Sequence, residues 1–330
     1  MKIKLLSSQD IKKAVNMSLA IESVKEAFVQ LSRGEAEVPL RTQVPVTEAG
    51  GISLFMPAYL KASHSLGAKI VSVFPKNSEK SLPTIHALVI VIDARTGRTE
   101  AVMDGTYLTA LRTGAAAGLA TDLLSKTDSA VAAVFGAGTQ GRTQLEAVCV
   151  VRAITKVWIF DPNEKSALAF ADEIKRRGKP FPSDISLASD PAQAVREADV
   201  ICTATTSHRP VFADDDLPPG VHINAIGSYT PAMQEIPAAT IARSKIVVDS
   251  LPAVLEEAGD IIIPLKEEMI SMSDIHGEIG QVASGLISAR ESDTEITFFK
   301  SVGNAVQDVA VSKLILSRAE QMNLGLDVDI

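Results

Sequence analysis

The segment Val134-Phe135-Gly136-Ala137-Gly138-Thr139-Gln140-Gly141 spaces three glycines as G-x-G-x-x-G directly after an apolar run. In such a loop the first glycine permits a tight turn, the second lets a pyrophosphate approach the backbone, and the third lets the following helix pack on the strand. The helix N-terminus adds unpaired N–H groups and the positive end of the helix dipole. Asp161 follows at the end of the next apolar run, 20 residues after Gly141, where a carboxylate accepts hydrogen bonds from ribose hydroxyls. The order strand, glycine turn, helix, strand, acid points to a dinucleotide. A carboxylate at that place repels a 2′-phosphate, which favours NAD(H); Lys165 nearby keeps NADP(H) as the alternative.

Other chemistry-bearing residues carry less. His64, His86, His208, His222 and His276 show no H-x-x-x-H spacing, so no metal site is expected, and His86 and His222 read as structural. Cys149 and Cys202 each lie in an apolar stretch and read as buried thiols rather than a disulfide. Asp214-Asp215-Asp216 reads as a solvated loop and helix cap.

The elements that must position these residues show two patterns. Ser8 followed by Asp10 predicts a helix start, and Ile21, Val24, Phe28 and Leu31 share one helical face. After Pro39, apolar segments at 67–74, 85–92 and 99–103, the last two joined by Asp93-Ala94-Arg95-Thr96-Gly97, predict helix plus antiparallel sheet. A close-packed helix rich in Ala, Gly, Leu and Thr is expected from Tyr107 to about Leu124. Beyond it, apolar runs at 130–135, 156–160, 200–205, 221–226 and 245–248 alternate with helical stretches, as βαβ units of a parallel sheet do. A last helix over 305–321 either caps that sheet or returns to the first part.

The chain of 330 residues is about two domains long. With 46% hydrophobic and 22% charged residues it is composed like a globular enzyme rather than a disordered chain. A net charge of −8 with no Lys/Arg cluster argues against nucleic acid as partner. The first residues lack the apolar core of a signal peptide, and no apolar run is long enough to span a membrane. With two cysteines, a cytoplasmic location is expected.

Several segments in order resemble the ornithine cyclodeaminase and mu-crystallin family: Val38-Pro39-Leu40-Arg41, Gly67-Ala68-Lys69, Leu82 to Ala87, Leu111-Arg112-Thr113-Gly114-Ala115, the Gly136 loop, Gly220 to Gly227, and Phe299-Lys300-Ser301-Val302-Gly303. The resemblance implies an α/β fold: a Rossmann doubly wound parallel sheet over 116–303, plus a discontinuous α+β domain, 1–115 with 304–330, that binds substrate and forms a homodimer. It assigns Arg41, Lys69 and Arg112 to the substrate carboxylate, with Val302 beside the substrate. Thr84, Arg112, Gly136, Gly138, Thr139, Gln140, Gly141, Asp161, Thr203 and Ser301 fall at cofactor-contacting positions. Read singly, the three cations are solvated or paired surface charges; within matching motifs they form a carboxylate clamp, for which an arginine fork and a compact ammonium are suited.

The family embraces cyclodeaminases, alanine dehydrogenases, ketimine reductases and Δ1-pyrroline-2-carboxylate reductases. Its cyclodeaminases carry a proton-handling aspartate two residues after the glycine of the His-Ile-Asn segment, where this chain has Tyr229. A phenol is a poor base at neutral pH. Reduction of a preformed cyclic imine needs only a held carboxylate, a protonated nitrogen and a hydride donor. The expectation is therefore an NAD(P)H-dependent cyclic ketimine reductase acting on a substrate such as Δ1-pyrroline-2-carboxylate and giving L-proline or a related amino acid. Lys69, Arg112 and Tyr229 are the catalytic candidates, and Lys69, Tyr229 or water the proton donor. An ornithine cyclodeaminase or L-alanine dehydrogenase, and a non-enzymatic dinucleotide-binding protein, are the alternatives.

Overall fold

The computed structural model describes residues 2–330, the side chain of Ser78 excepted. The chain divides into two compact units, 1–112 with 304–330 and 113–303, and the division falls inside the helix Gly105–Leu124.

The first unit carries β1 (Lys2–Leu6), β2 (Ala36–Glu37), β3 (Thr42–Val46), β4 (Gly51–Leu60), β5 (Ser65–Val73), β6 (Ile85–Asp93), β7 (Thr99–Asp104) and, from the C-terminal segment, β16 (Leu326–Asp329). Their order in the sheet is β16-β1-β7-β6-β5-β4-β2, with β3 paired to β4. All pairs are antiparallel except β1 with β7. The first helix, Ser8–Ala14, starts at Ser8 as expected, and Ser7 caps it in a capping box with Asp10. Asn16 caps the helix Met17–Ser32, which buries Ile21, Val24 and Phe28, while Leu31 is half-buried. The longest strand, β4, escaped the sequence pattern. Pro57 interrupts it, and its middle alternates between the two faces of a sheet that is apolar on both.

Alternation along these strands sorts their side chains by face. One cross-strand row, read through the register, is Leu326, Leu5, Val102, Ile90, Ala68 and Pro57, partly or largely exposed. The adjacent row, on the other face, is Leu6, Met103, Val89, Lys69 and Met56, all buried. The C-terminal helix Ala305–Gln321 packs on β4, β5 and the helix Met17–Ser32.

The second unit holds β8 (Val131–Phe135), β9 (Lys156–Phe160), β10 (Asp184–Leu187), β11 (Val200–Thr203), β12 (His222–Ala225), β13 (Lys245–Val248), β14 (Ile275–Glu278) and β15 (Thr297–Lys300). Every pairing in it is parallel, in the order β10-β9-β8-β11-β12-β15-β13-β14. Alternate residues of the same strands enter two separate cores, Ala133, Phe135 and Ile201 one, Ala132, Val134 and Val200 the other. A sheet buried on both faces needs near-continuous apolar strands, which is why these runs stood out in the sequence. The order reverses between β8 and β11, the switch point at which such folds bind ligands.

His222 is wholly buried between Thr297 and Asn224, and Asn224 in turn donates to the Thr121 hydroxyl. Burial, aided by the Arg290 charge, lowers its pKa to about 3, so it stays neutral and serves packing.

Candidate active site

In the second unit, β8 ends in the glycine loop and the helix Thr139–Val151 begins at Gly138, with no side chain capping its first N–H groups. Gly136 has φ +98°, and a Cβ there would lie 2.6 Å from the Ala204 carbonyl oxygen. A Cβ on Gly141 would meet the Gly136 oxygen at 2.2 Å, whereas one on Gly138 meets nothing within 4 Å. The first and third glycines are thus required by the protein's own packing, and the second keeps an approach open. Asp161, half-buried at the end of β9, accepts from the Ala137 and Asn163 amides at 2.8 Å each, which fixes its carboxylate beside the loop. Gly136, Gly138, Asp161, Asn163, Thr205 and Ser207 all border one cavity of about 630 Å³. An uncapped helix end, an open glycine and a fixed carboxylate around one cavity fit the pyrophosphate and ribose of a dinucleotide.

The remaining sequence candidates in this unit are placed as follows. Thr139 is exposed and Gln140 half-buried in the first turn of the helix. Thr203 is wholly buried, and the residues after it, Ala204 and Thr205, line the cavity. Ser301 is buried and Val302 half-buried. Tyr229 is 49% exposed.

Behind these loops stand buried carboxylates that no sequence motif marks. Glu235 accepts five bonds: from the Thr203 hydroxyl at 2.9 Å, the Thr205 amide and hydroxyl at 2.6 and 2.8 Å, and the Gly227 and Ser228 amides at 2.7 and 3.2 Å. Its own amide donates to Asp260, whose other oxygen lies 3.0 Å from Lys300 Nζ. Burial and the Asp260 charge raise the Glu235 pKa. One Asp249 oxygen similarly accepts from the Ser301 hydroxyl and the Val302 and Gly303 amides at 2.6, 3.1 and 2.8 Å. The loops at the carboxyl ends of β11, β12 and β15 are therefore tied down by buried charge-assisted hydrogen bonds.

In the first unit, the parity of β5 turns Lys69 inward among apolar residues. There the C-terminal helix meets it with Asp308, whose Oδ2 lies 2.8 Å from Lys69 Nζ. Arg112, from the helix Gly105–Leu124, donates to Asp308 Oδ1 at 3.0 Å and to Gln307 Oε1 at 2.5 Å. Lys69, Arg112 and Asp308 are 2%, 5% and 0% exposed. Burial and the Arg112 charge lower the Lys69 pKa to about 8 against the opposing pull of Asp308, and half-buried Arg41 adds to the lowering. Two buried cations share one buried carboxylate, so the cluster carries a net positive charge where an uncompensated charge is costly. A monocarboxylate would neutralise it. Thr84 is exposed, and its carbonyl accepts from the Phe74 amide.

Residues 1–323 match the family model described as Ornithine cyclodeaminase/mu-crystallin family. The chain belongs to that family. It is 38% identical over 327 residues to the Δ1-pyrroline-2-carboxylate reductase of Bacillus cereus, covering 98% of this chain and 99% of that protein. Among solved structures it is similar to the Thermococcus litoralis Δ1-pyrroline-2-carboxylate reductase in complex with NADH and L-proline, with a TM-score of 0.94 and 41% identity over 99% of this chain and 100% of the other. It is also similar to an archaeal alanine dehydrogenase dimer with bound NAD, with a TM-score of 0.92 and 37% identity over the whole of both chains. Within the ornithine cyclodeaminase/mu-crystallin family, then, this chain combines the glycine loop and Asp161 with the Lys69–Arg112 cluster. The member of that cluster that sequence reasoning missed is Asp308. In the sequence it reads as an acid in the first turn of a helix, with nothing to mark it as part of a site.

Proposed function

We propose that this protein is an NAD(H)-dependent reductase of a cyclic ketimine carboxylate such as Δ1-pyrroline-2-carboxylate, yielding L-proline or a related cyclic amino acid. The observation that carries the reading is the buried Lys69–Arg112–Asp308 cluster with its surplus positive charge, together with its likeness to reductases of that imine. Gly136, Gly138 and Gly141 would hold the dinucleotide pyrophosphate, Asp161 its ribose, and the Thr205 and Ser301 loops the remainder. When bound, the dihydronicotinamide supplies a hydride. Arg112 and Lys69, with Arg41, would bind the substrate carboxylate and so fix the C=N carbon, and Lys69 is a source for the proton that the nitrogen acquires. Tyr229 replaces the aspartate expected for cyclodeamination, which favours reduction over ring closure. The row of Leu326, Leu5, Val102, Ile90, Ala68 and Pro57 supports a homodimer formed through the outer sheet face, and the free buried thiols Cys149 and Cys202 suit a reducing cytoplasm.

The test is loss of dihydronicotinamide absorbance with Δ1-pyrroline-2-carboxylate, in the native enzyme and in Arg112→Ala. Removing one partner of a buried charged pair costs about 2 kcal/mol or more, so the variant should lose at least about thirtyfold in kcat/KM. No turnover of the imine by the native enzyme, with ammonia released from alanine or ornithine instead, would replace this reading with an amino-acid dehydrogenase or cyclodeaminase.

A further inference from the structure

Asp308 is the unexplained member of the cationic cluster. A carboxylate in a site for carboxylates competes with its ligand by simple repulsion, yet this one is wholly buried between Lys69 and Arg112. We propose that Asp308 is a positioning residue: it aims Lys69 and Arg112 and keeps Lys69 cationic at neutral pH, so that the substrate carboxylate meets two charges instead of one. The inference rests on the carboxylate clamp proposed above.

The geometry gives the two effects separately. Asp308 Oδ1 takes Arg112 Nε, and Gln307 takes the neighbouring Nη1, so consecutive residues of one helix fix the guanidinium plane. The other oxygen takes Lys69. No further acid faces that ammonium from the elements packed round it, among the described residues. Its cross-strand neighbours on β4 and β6 are Met56 and Val89, the buried face of the helix Met17–Ser32 has no titratable group, and the other charges acting on it, Arg112 and Arg41, are cations. Without Asp308, burial and two like charges would act on Lys69 unopposed, and it would shed its proton in the neutral range.

The probe is pyrrole-2-carboxylate, a five-membered ring carboxylate with no C=N bond to reduce, titrated calorimetrically against pH with oxidised cofactor present. In the native enzyme, affinity should hold below the Lys69 pKa of about 8 and fall above it. In Asp308→Asn the fall should begin about 1 to 3 pH units lower. Below that fall the variant should bind as tightly as the native enzyme or more so, because a repelling charge is gone, the amide oxygen still holds one of the two cations, and the ligand carboxylate is left to pair with the other. The two curves therefore cross, and Asp308→Glu should restore the native midpoint. A variant curve that lies below the native one at every pH, with an unmoved midpoint, would show a merely structural residue and overturn the proposal. If Asp308→Asn does not fold, Lys69→Arg decides: the high-pH fall must vanish, and its persistence overturns the assignment to Lys69. Crossing curves in an enzyme that reduces no cyclic imine would uphold Asp308 while removing the reductase reading. Uncrossed curves in an active enzyme would do the reverse.

Discussion

Asp161 can discriminate between cofactors because its two oxygens are already aimed by the Ala137 and Asn163 amides. A fixed carboxylate beside a ribose both accepts from the hydroxyls and repels a 2′-phosphate. Asp161→Asn retains the acceptor for one loop amide and removes the charge. The preference for NADH over NADPH, measured as the ratio of kcat/KM values, should fall by about tenfold, equivalent to about 1.4 kcal/mol. An unchanged ratio would show that Asp161 only braces the loop. This residue was legible in the sequence because a dinucleotide loop is local: strand, turn and acid lie within 31 residues, from 131 to 161. Asp308 was not, because it acts on Arg112 from 196 residues away. Nothing in its own neighbourhood distinguishes it from an acid in the first turn of a helix, where acids are common for dipole reasons.

At the scale of elements, the parallel strands β8, β9, β11, β12 and β13 could be read while β10, β14 and β15 could not, and the antiparallel ones could be read only in part, for the same physical reason. A strand covered on both faces must be near-continuously apolar, as Val200, Ile201 and Cys202 are. β4 and β5 instead join a covered face to a partly exposed one, and Pro57 and Lys69 break the pattern. The links between elements were less legible still. Glu235 takes donors from the ends of β11 and β12 and passes through Asp260 to Lys300 on β15, so three strand ends are held by two acids that no sequence motif marks. Glu235→Gln places an amide NH2 against backbone N–H groups. At least one donor then loses its acceptor, which costs about 1–3 kcal/mol. We expect a lower Tm and a dissociation constant for NADH raised about tenfold, read by quenching of the dinucleotide's fluorescence. A lower Tm with unaltered NADH affinity would mean that the loops keep their shape without the carboxylate.

For the molecule as a whole, the register of the first sheet raises the question of what covers its outer face. Phe55, Ile70 and Leu88 form a cross-strand row beside that of Pro57, Ala68, Ile90, Val102 and Leu5, and Phe55, Leu88 and Leu5 are 40%, 51% and 41% exposed. Contiguous apolar rows across several strands differ from isolated surface leucines, since monomers rarely leave such patches open. The opposite face already carries the C-terminal helix and, on β5, Lys69, so strand parity links assembly to chemistry: residues 68 and 70 face outward and residue 69 inward. A second copy of the same sheet is the cover we propose, as an isologous pairing in which each apolar row meets its symmetry mate. Specific interfaces of this kind bury about 1,600 Å² in total, and a charge at the centre of one has no route to water. On this proposal the native protein sediments as a dimer, and the double variant Phe55→Glu, Leu88→Glu as a monomer at the same concentration. Because β5 then loses its outer support, its carboxylate affinity should weaken in parallel, although Lys69, Arg112 and Asp308 are unchanged. A variant that remains dimeric would place the interface on another surface.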